Sequence, residues 1–152
     1  MANVRAARGK CEGPLAHTNL LGARVMVVDD SNTIRRSAEM FLAQAGCEVI
    51  LADNGFDALA KIAGEPPDLI FVDILMPRLD GYQTCALIKK SARHRGIPVV
   101  MLSSKDSMFD RARGRLVGSN EHLTKPFTKE NLLNTVGAHL SQRNAAAANP
   151  RT

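Results

Sequence analysis

Two carboxylates, Asp29 and Asp30, directly follow the β-prone run Arg24–Val28 (RVMVV), and a third, Asp73, interrupts LIFVDILMP at residues 69–77. A bare carboxylate inside so hydrophobic a run is costly unless it leaves the core or finds partners there. Ser103 closes the next apolar run, IPVVMLS, and Lys125 follows the short run HLT. Carboxylates, a hydroxyl and a lysine can together hold a hard cation and move a phosphoryl group. Clustered carboxylates repel one another unless a cation joins them. Oxygen-only ligands suit Mg²⁺, which keeps waters and phosphate oxygens in its shell. An Asp beside such an ion, a Lys and a hydroxyl is a nucleophile for in-line attack on phosphorus, with positive charge set against the equatorial oxygens.

These residues act together only if the fold brings them together. Between residues 24 and 140, strand-like and helix-like segments alternate. Arg24–Val28, Cys47–Ala52, Leu69–Val72, Ile97–Leu102 and His122–Thr124 read as strands. After Ser31, Ile34, Ala38, Phe41, Leu42 and Ala45 recur at helical spacing, and Gly46 stops that helix. Phe56–Ala63, Tyr82–Lys90, Met108–Val117 and a last helix capped by Thr128 follow. Alternation of this kind predicts a (βα)₅ α/β fold, a doubly wound parallel sheet with helices on both faces. The flavodoxin-like strand order 2-1-3-4-5 is taken from other doubly wound sheets, since periodicity alone does not fix it. Ligands in such sheets bind beyond the carboxyl ends of the strands, at the switch point. With that order Asp29, Asp30 and Asp73 converge in one acidic pocket, and Asp73 sits at a strand mouth rather than within the core.

The totals narrow the class. The 152 residues, 45% hydrophobic with no Trp, favour one aliphatic core. The expected organisation is a flexible segment 1–22, a domain 23–141 and a tail 142–152, with the Ala run at 145–148 able to prolong the last helix. No apolar run is long enough to span a bilayer and the N-terminus has no secretory h-region, so a cytoplasmic protein without membrane insertion is expected. Cys11, Cys47 and Cys85 form no CxxC pair and read as free thiols. Arg5, Arg8, Lys10, Arg143 and Arg151 against Glu12 put +4 of the net +5 on the two ends. The strip Lys89, Lys90, Arg93, Arg95, Arg111, Arg113 and Arg115 has few aromatics between its charges, so it reads as a solvated or protein-binding face rather than a specific nucleic-acid site.

VVDDS (27–31), FVDILMPRLDG (71–81), MLSSK (101–105) and LTKPF (123–127) together resemble the four signatures of bacterial response-regulator receiver domains of the CheY-like kind. The resemblance spans residues 24–140. In finer detail, DDSNTIRRSAEMFL, GFDALAKI and DILMPRLDGYQTCALIK are similar to receivers of the twitching-motility (type IV pilus) chemosensory system. The resemblance implies that Asp73 accepts phosphate from a histidine kinase or phosphotransfer domain. It implies that Asp29, Asp30, Asp73 and the backbone carbonyl of Leu75 hold Mg²⁺, Asp30 most directly, that Ser103 binds the phosphoryl oxygens and that Lys125 pairs with them. It also implies a cis Lys125–Pro126 bond and a downstream protein effector of the pilus machinery. His122 departs from the family pattern, standing where many members carry a switching Tyr or Phe; a packed strand residue is the alternative reading.

Blander readings stand beside these. Asp29-Asp30-Ser31 is also a helix N-cap with acids matched to the dipole, and Ser103-Ser104 and Lys125 are unremarkable when taken singly. His17, His94 and His139 are too scattered for a histidine metal site. As for function, a stand-alone receiver signalling by protein contact competes with a phosphate sink that drains a kinase without driving an output. An aspartyl-phosphate phosphatase is a poorer reading, because Leu75 stands where such enzymes need a second Asp. The absence of GxxxxGK[ST] and GxGxxG removes P-loop and dinucleotide enzymes.

Overall fold

The computed structural model describes residues 20–104 and 108–148. Most of the expected lead-in, with Cys11 and His17, lies outside the described residues, as do Lys105 of the MLSSK motif and residues 149–152. Strands and helices alternate as β1 Arg24–Val28, α1 Asn32–Gln44, β2 Glu48–Ala52, α2 Gly55–Gly64, β3 Leu69–Asp73, α3 Gly81–Lys90, β4 Val99–Ser103, α4 Met108–Leu116, β5 Glu121–Thr124 and α5 Lys129–Ala148. All strand pairs are parallel, in the order β2-β1-β3-β4-β5.

Side-chain alternation along each strand feeds two cores. Val25 and Val27 of β1, Leu69 and Phe71 of β3, and Val100 and Leu102 of β4 pack with Leu42 of α1 and Leu132, Leu133 and Val136 of α5. Met26 and Val28, Ile70 and Val72, and Val99 and Met101 point the other way, onto Ile62 of α2 and Tyr82, Cys85 and Ile88 of α3. Both faces are covered, so these strands read as unbroken apolar runs. Each fully buried aliphatic or aromatic side chain here contributes roughly 1.5–3 kcal/mol. Leu20 is fully buried in the first core, so the packed unit reaches residues that precede β1.

The helix starts follow local chemistry. The Ser31 hydroxyl accepts from Ile34 N, Asn54 Oδ1 from Asp57 N and Thr128 Oγ1 from Asn131 N, while Asp80 and Gln83 form a reciprocal capping box. Gly46 ends α1 at φ +92°, a conformation that glycine adopts without strain. The fourth strand begins at Val99 rather than Ile97, because Pro98 has no N–H for the ladder; its carbonyl still accepts from Ile70 N. The third strand extends one residue further than expected, with Asp73 paired opposite Leu102. The last helix runs through the Ala-rich segment to Ala148. Among the described residues no helix is long and apolar enough to cross a membrane.

Candidate functional site

β1 and β3 are hydrogen-bonded neighbours, so their carboxyl ends open side by side at the switch point. Asp29 follows β1 and continues its ladder, its N–H donating to the Ala52 carbonyl at 3.1 Å. Its Oδ1 accepts from Ser31 N at 2.8 Å, and the Arg35 guanidinium holds its carbonyl. Asp73 is the last residue of β3. Asp29, Asp30 and Asp73 place one carboxylate oxygen each within 4.8 Å of one another, the one such acidic cluster among the described residues. Asp29 and Asp73 are buried, whereas Asp30 faces solvent. Asp73 therefore stands at a strand mouth as expected, yet at 4% exposure it is shielded from water. Partners, rather than solvent, offset its charge.

Lys125 supplies that partner. Its backbone N–H donates to the Ser103 carbonyl at 2.7 Å, tying the end of β5 to the end of β4. From there Nζ donates to Asp29 Oδ2 and Asp73 Oδ1, both at 3.1 Å. The Lys125–Pro126 bond is cis. Burial, together with the neighbouring Asp29 charge, pushes the Asp73 carboxyl up to about 6, against the opposing pull of Lys125 and the Leu75 backbone. For Lys125, burial disfavours the ammonium, but Asp29 and Asp73 overcome it and hold the lysine above its ordinary value. One ammonium thus leaves two buried carboxylates short of positive charge. The shortfall, and an all-oxygen donor set with one solvent-facing member, fit a small hard cation.

Of the remaining expected residues, Ser103 and Leu75 lie at or just past the strand ends that form the pocket, and His122 does not. Ser103 is the buried last residue of β4, in register with Thr124 next to Lys125. Leu75 lies two residues past Asp73 and is 73% exposed. His122 is set back from the mouth, opposite Met101 in the ladder. It is 8% exposed, and neither ring nitrogen has a hydrogen-bond partner.

Sequence reasoning misses what Gly81, the last residue of FVDILMPRLDG, does. Its N–H donates to the Ile74 carbonyl at 2.9 Å, and a Cβ there would overlap the Asp73 carbonyl oxygen. It also missed Arg35, whose contact with the Asp29 backbone no motif spacing announces. The basic strip is less uniform than its sequence suggests. Lys89 Nζ turns onto the carbonyls of Arg95 and Ile97 and onto Asn120, and the Arg113 guanidinium lies 4.2 Å from the centre of the Tyr82 ring. Cys47 and Cys85 are buried free thiols, pushed up to about 11 by desolvation. His139 pairs with Glu121 and His94 with Ser91, away from the pocket.

Comparison with known proteins identifies the family. Residues 25–137 match the response regulator receiver domain. The chain is 63% identical over 119 residues to Protein PilG of Pseudomonas aeruginosa, covering 78% of this chain and 88% of that one. It is 38% identical to Protein PilH of the same organism, covering 78% and 98%. Among solved structures, chemotaxis response regulator CheY4 of Vibrio cholerae superposes with a TM-score of 0.75 at 34% identity, covering 78% of this chain and 98% of that one. A putative response regulator from Chloroflexus aurantiacus gives 0.76 at 31%, covering 79% and 98%. The fold, the acidic pocket at its switch point and these similarities lead to one conclusion: the chain belongs to the response-regulator receiver domain family.

Proposed function

We propose that Asp73 is the phosphoacceptor of this receiver, taking a phosphoryl group from a phosphohistidine on a histidine kinase or phosphotransfer domain. The observation that carries this reading is the Lys125 ammonium, 3.1 Å from the buried Asp29 and Asp73, two of the three clustered carboxylates. An Asp73 oxygen attacks phosphorus in line, the P–N bond to the donor imidazole breaks, and the imidazole keeps the electron pair and takes up a proton. Lys125 and the Ser103 hydroxyl stabilise the charge on the transferred oxygens.

Receiver domains bind Mg²⁺ at an acidic pocket. In this reading Asp29, Asp30, Asp73 and the Leu75 carbonyl hold it, with Asp30 the most accessible ligand. The ion supplies the positive charge that Lys125 alone does not. Asp29 also holds the loop in place through Ser31 N, and Lys125 links the phosphorylated site to the ends of β4 and β5.

The output is a protein contact, remodelled when Ser103 and His122 respond to the phosphoryl group. The similarity to PilG supports a place in type IV pilus chemosensory control, with an effector in the pilus machinery. A cytoplasmic site of action follows from a kinase donor. The test is transfer from a histidine-phosphorylated kinase or phosphotransfer domain. Label should leave the histidine and appear on the wild type but not on Asp73→Asn. Equal label on the variant would place the acceptor elsewhere.

A further inference from the structure

Phe56, in the first turn of α2, is 54% exposed, and the Arg78 guanidinium lies over its ring at 5.5 Å from the centroid. Arg78 belongs to the loop between β3 and α3 and has φ +68°, the one positive φ of a non-glycine residue among those described. That region is disfavoured for a residue with a Cβ. An aromatic left in water and an arginine held in a left-handed conformation are each unfavourable alone. As a stacked pair they offset part of each other's cost.

The stack is one of three fixings of the same loop. Beside Phe56, a Cβ on Gly55 would overlap Thr84 Oγ1 and lie 2.8 Å from Leu79 Cδ2, so the start of α2 is seated on the loop and on α3. Just after these residues Gly81 packs against the Asp73 carbonyl and donates to Ile74 O, so the two ends of the loop meet. Residues 74–80 thus form a loop closed at its base by Gly81 and seated on α2 through Arg78 and Leu79, with Leu75 next to that closure.

We infer that Phe56 and Arg78 are positioning residues that hold the β3–α3 loop, and with it the Leu75 carbonyl, in the geometry that admits a divalent cation to the acidic pocket. The inference rests on the metal reading proposed above. Without the stack the loop loses one of its three fixings, and its backbone samples other positions more often. The three carboxylates stay where β1 and β3 put them, so affinity falls without being abolished.

The test uses the full chain, freed of metal with EDTA and titrated with Mg²⁺ while amide resonances are followed by NMR. Phe56→Ala and Arg78→Gly should each weaken Mg²⁺ binding about two- to fivefold, the range of an exposed cation–π contact. Glycine at 78 accepts the left-handed conformation, so that variant removes the guanidinium without adding strain. Phe56→Tyr keeps the ring and should bind as the wild type does. Asp30→Asn, which alters the pocket itself, should weaken binding far more. Wild-type affinity in Phe56→Ala, or an equal fall in Phe56→Tyr, would overturn the inference and leave the metal reading intact. Undiminished binding by Asp30→Asn would overturn both.

Discussion

Lys125 Nζ lies 3.1 Å from Asp73 Oδ1, although the two residues come from the ends of β5 and β3, strands separated by β4. The lysine reaches past β4 because its own N–H is anchored on the Ser103 carbonyl. One contact therefore ties together three strand ends. It also makes the charge state of Asp73 depend on a residue 52 positions away.

The raised position of Asp73, about 6 against an ordinary 3.8, makes stability depend on pH. Between those values the folded protein binds a proton that the unfolded chain has released. Its contribution is therefore present in acid and is lost as pH rises through about 6. In EDTA, Asp73→Asn should gain on the wild type by up to about 3 kcal/mol between pH 4 and pH 7.5. Urea unfolding at the two pH values measures the change; a difference that did not vary with pH would contradict the buried, proton-binding carboxyl.

Removing the ammonium leaves Asp29 and Asp73 facing each other without compensation. Lys125→Ala should lose about 3 kcal/mol of stability in EDTA, the usual scale for one partner of a buried pair, and less with Mg²⁺ present. Phosphate should still be accepted, whereas partner binding in response to it should be poor. Calorimetry with and without the ion reads the first effect. Normal phosphorylation-dependent binding by the variant would count against Lys125 as the link to the strand ends.

His122 buries two ring nitrogens that bond to nothing. His122→Phe removes that desolvation cost while keeping a flat ring, and should stabilise the protein by about 1–3 kcal/mol. Chemical denaturation decides the point. A less stable variant would mean that the imidazole is satisfied in solution by groups or waters outside this arrangement.

Gly81 is predicted to tolerate no side chain. Gly81→Ala pushes a methyl into the Asp73 carbonyl, so it should cost about 2 kcal/mol or more and slow phosphorylation, though it touches no charged group. Labelling rate and unfolding midpoint should fall together, and a fully active, fully stable variant would refute the close approach.

The sequence carried the α/β class and the strand-end position of each candidate residue, because buried parallel strands leave unbroken apolar runs and polar residues mark their ends. The neighbour relation of β1 and β3 came from precedent and is now seen in the ladder from Val25–Leu69 to Val28–Val72. What stayed hidden depends on tertiary contact. Gly81 looks like turn punctuation until Asp73 is set against it. Phe56 and Arg78 are 22 positions apart, with no periodicity to join them. Lys89 looks like one charge in a basic strip, yet its ammonium bonds to carbonyls left by neighbouring chain segments.

The most direct test of the central claim needs no protein donor. Wild type and Asp73→Asn are incubated with acetyl phosphate, with Mg²⁺ and with EDTA, quenched rapidly and weighed intact. One phosphoryl group is expected on the wild type, dependent on Mg²⁺, and none on the variant. Equal labelling of both proteins, or labelling of the wild type undiminished by EDTA, would contradict it.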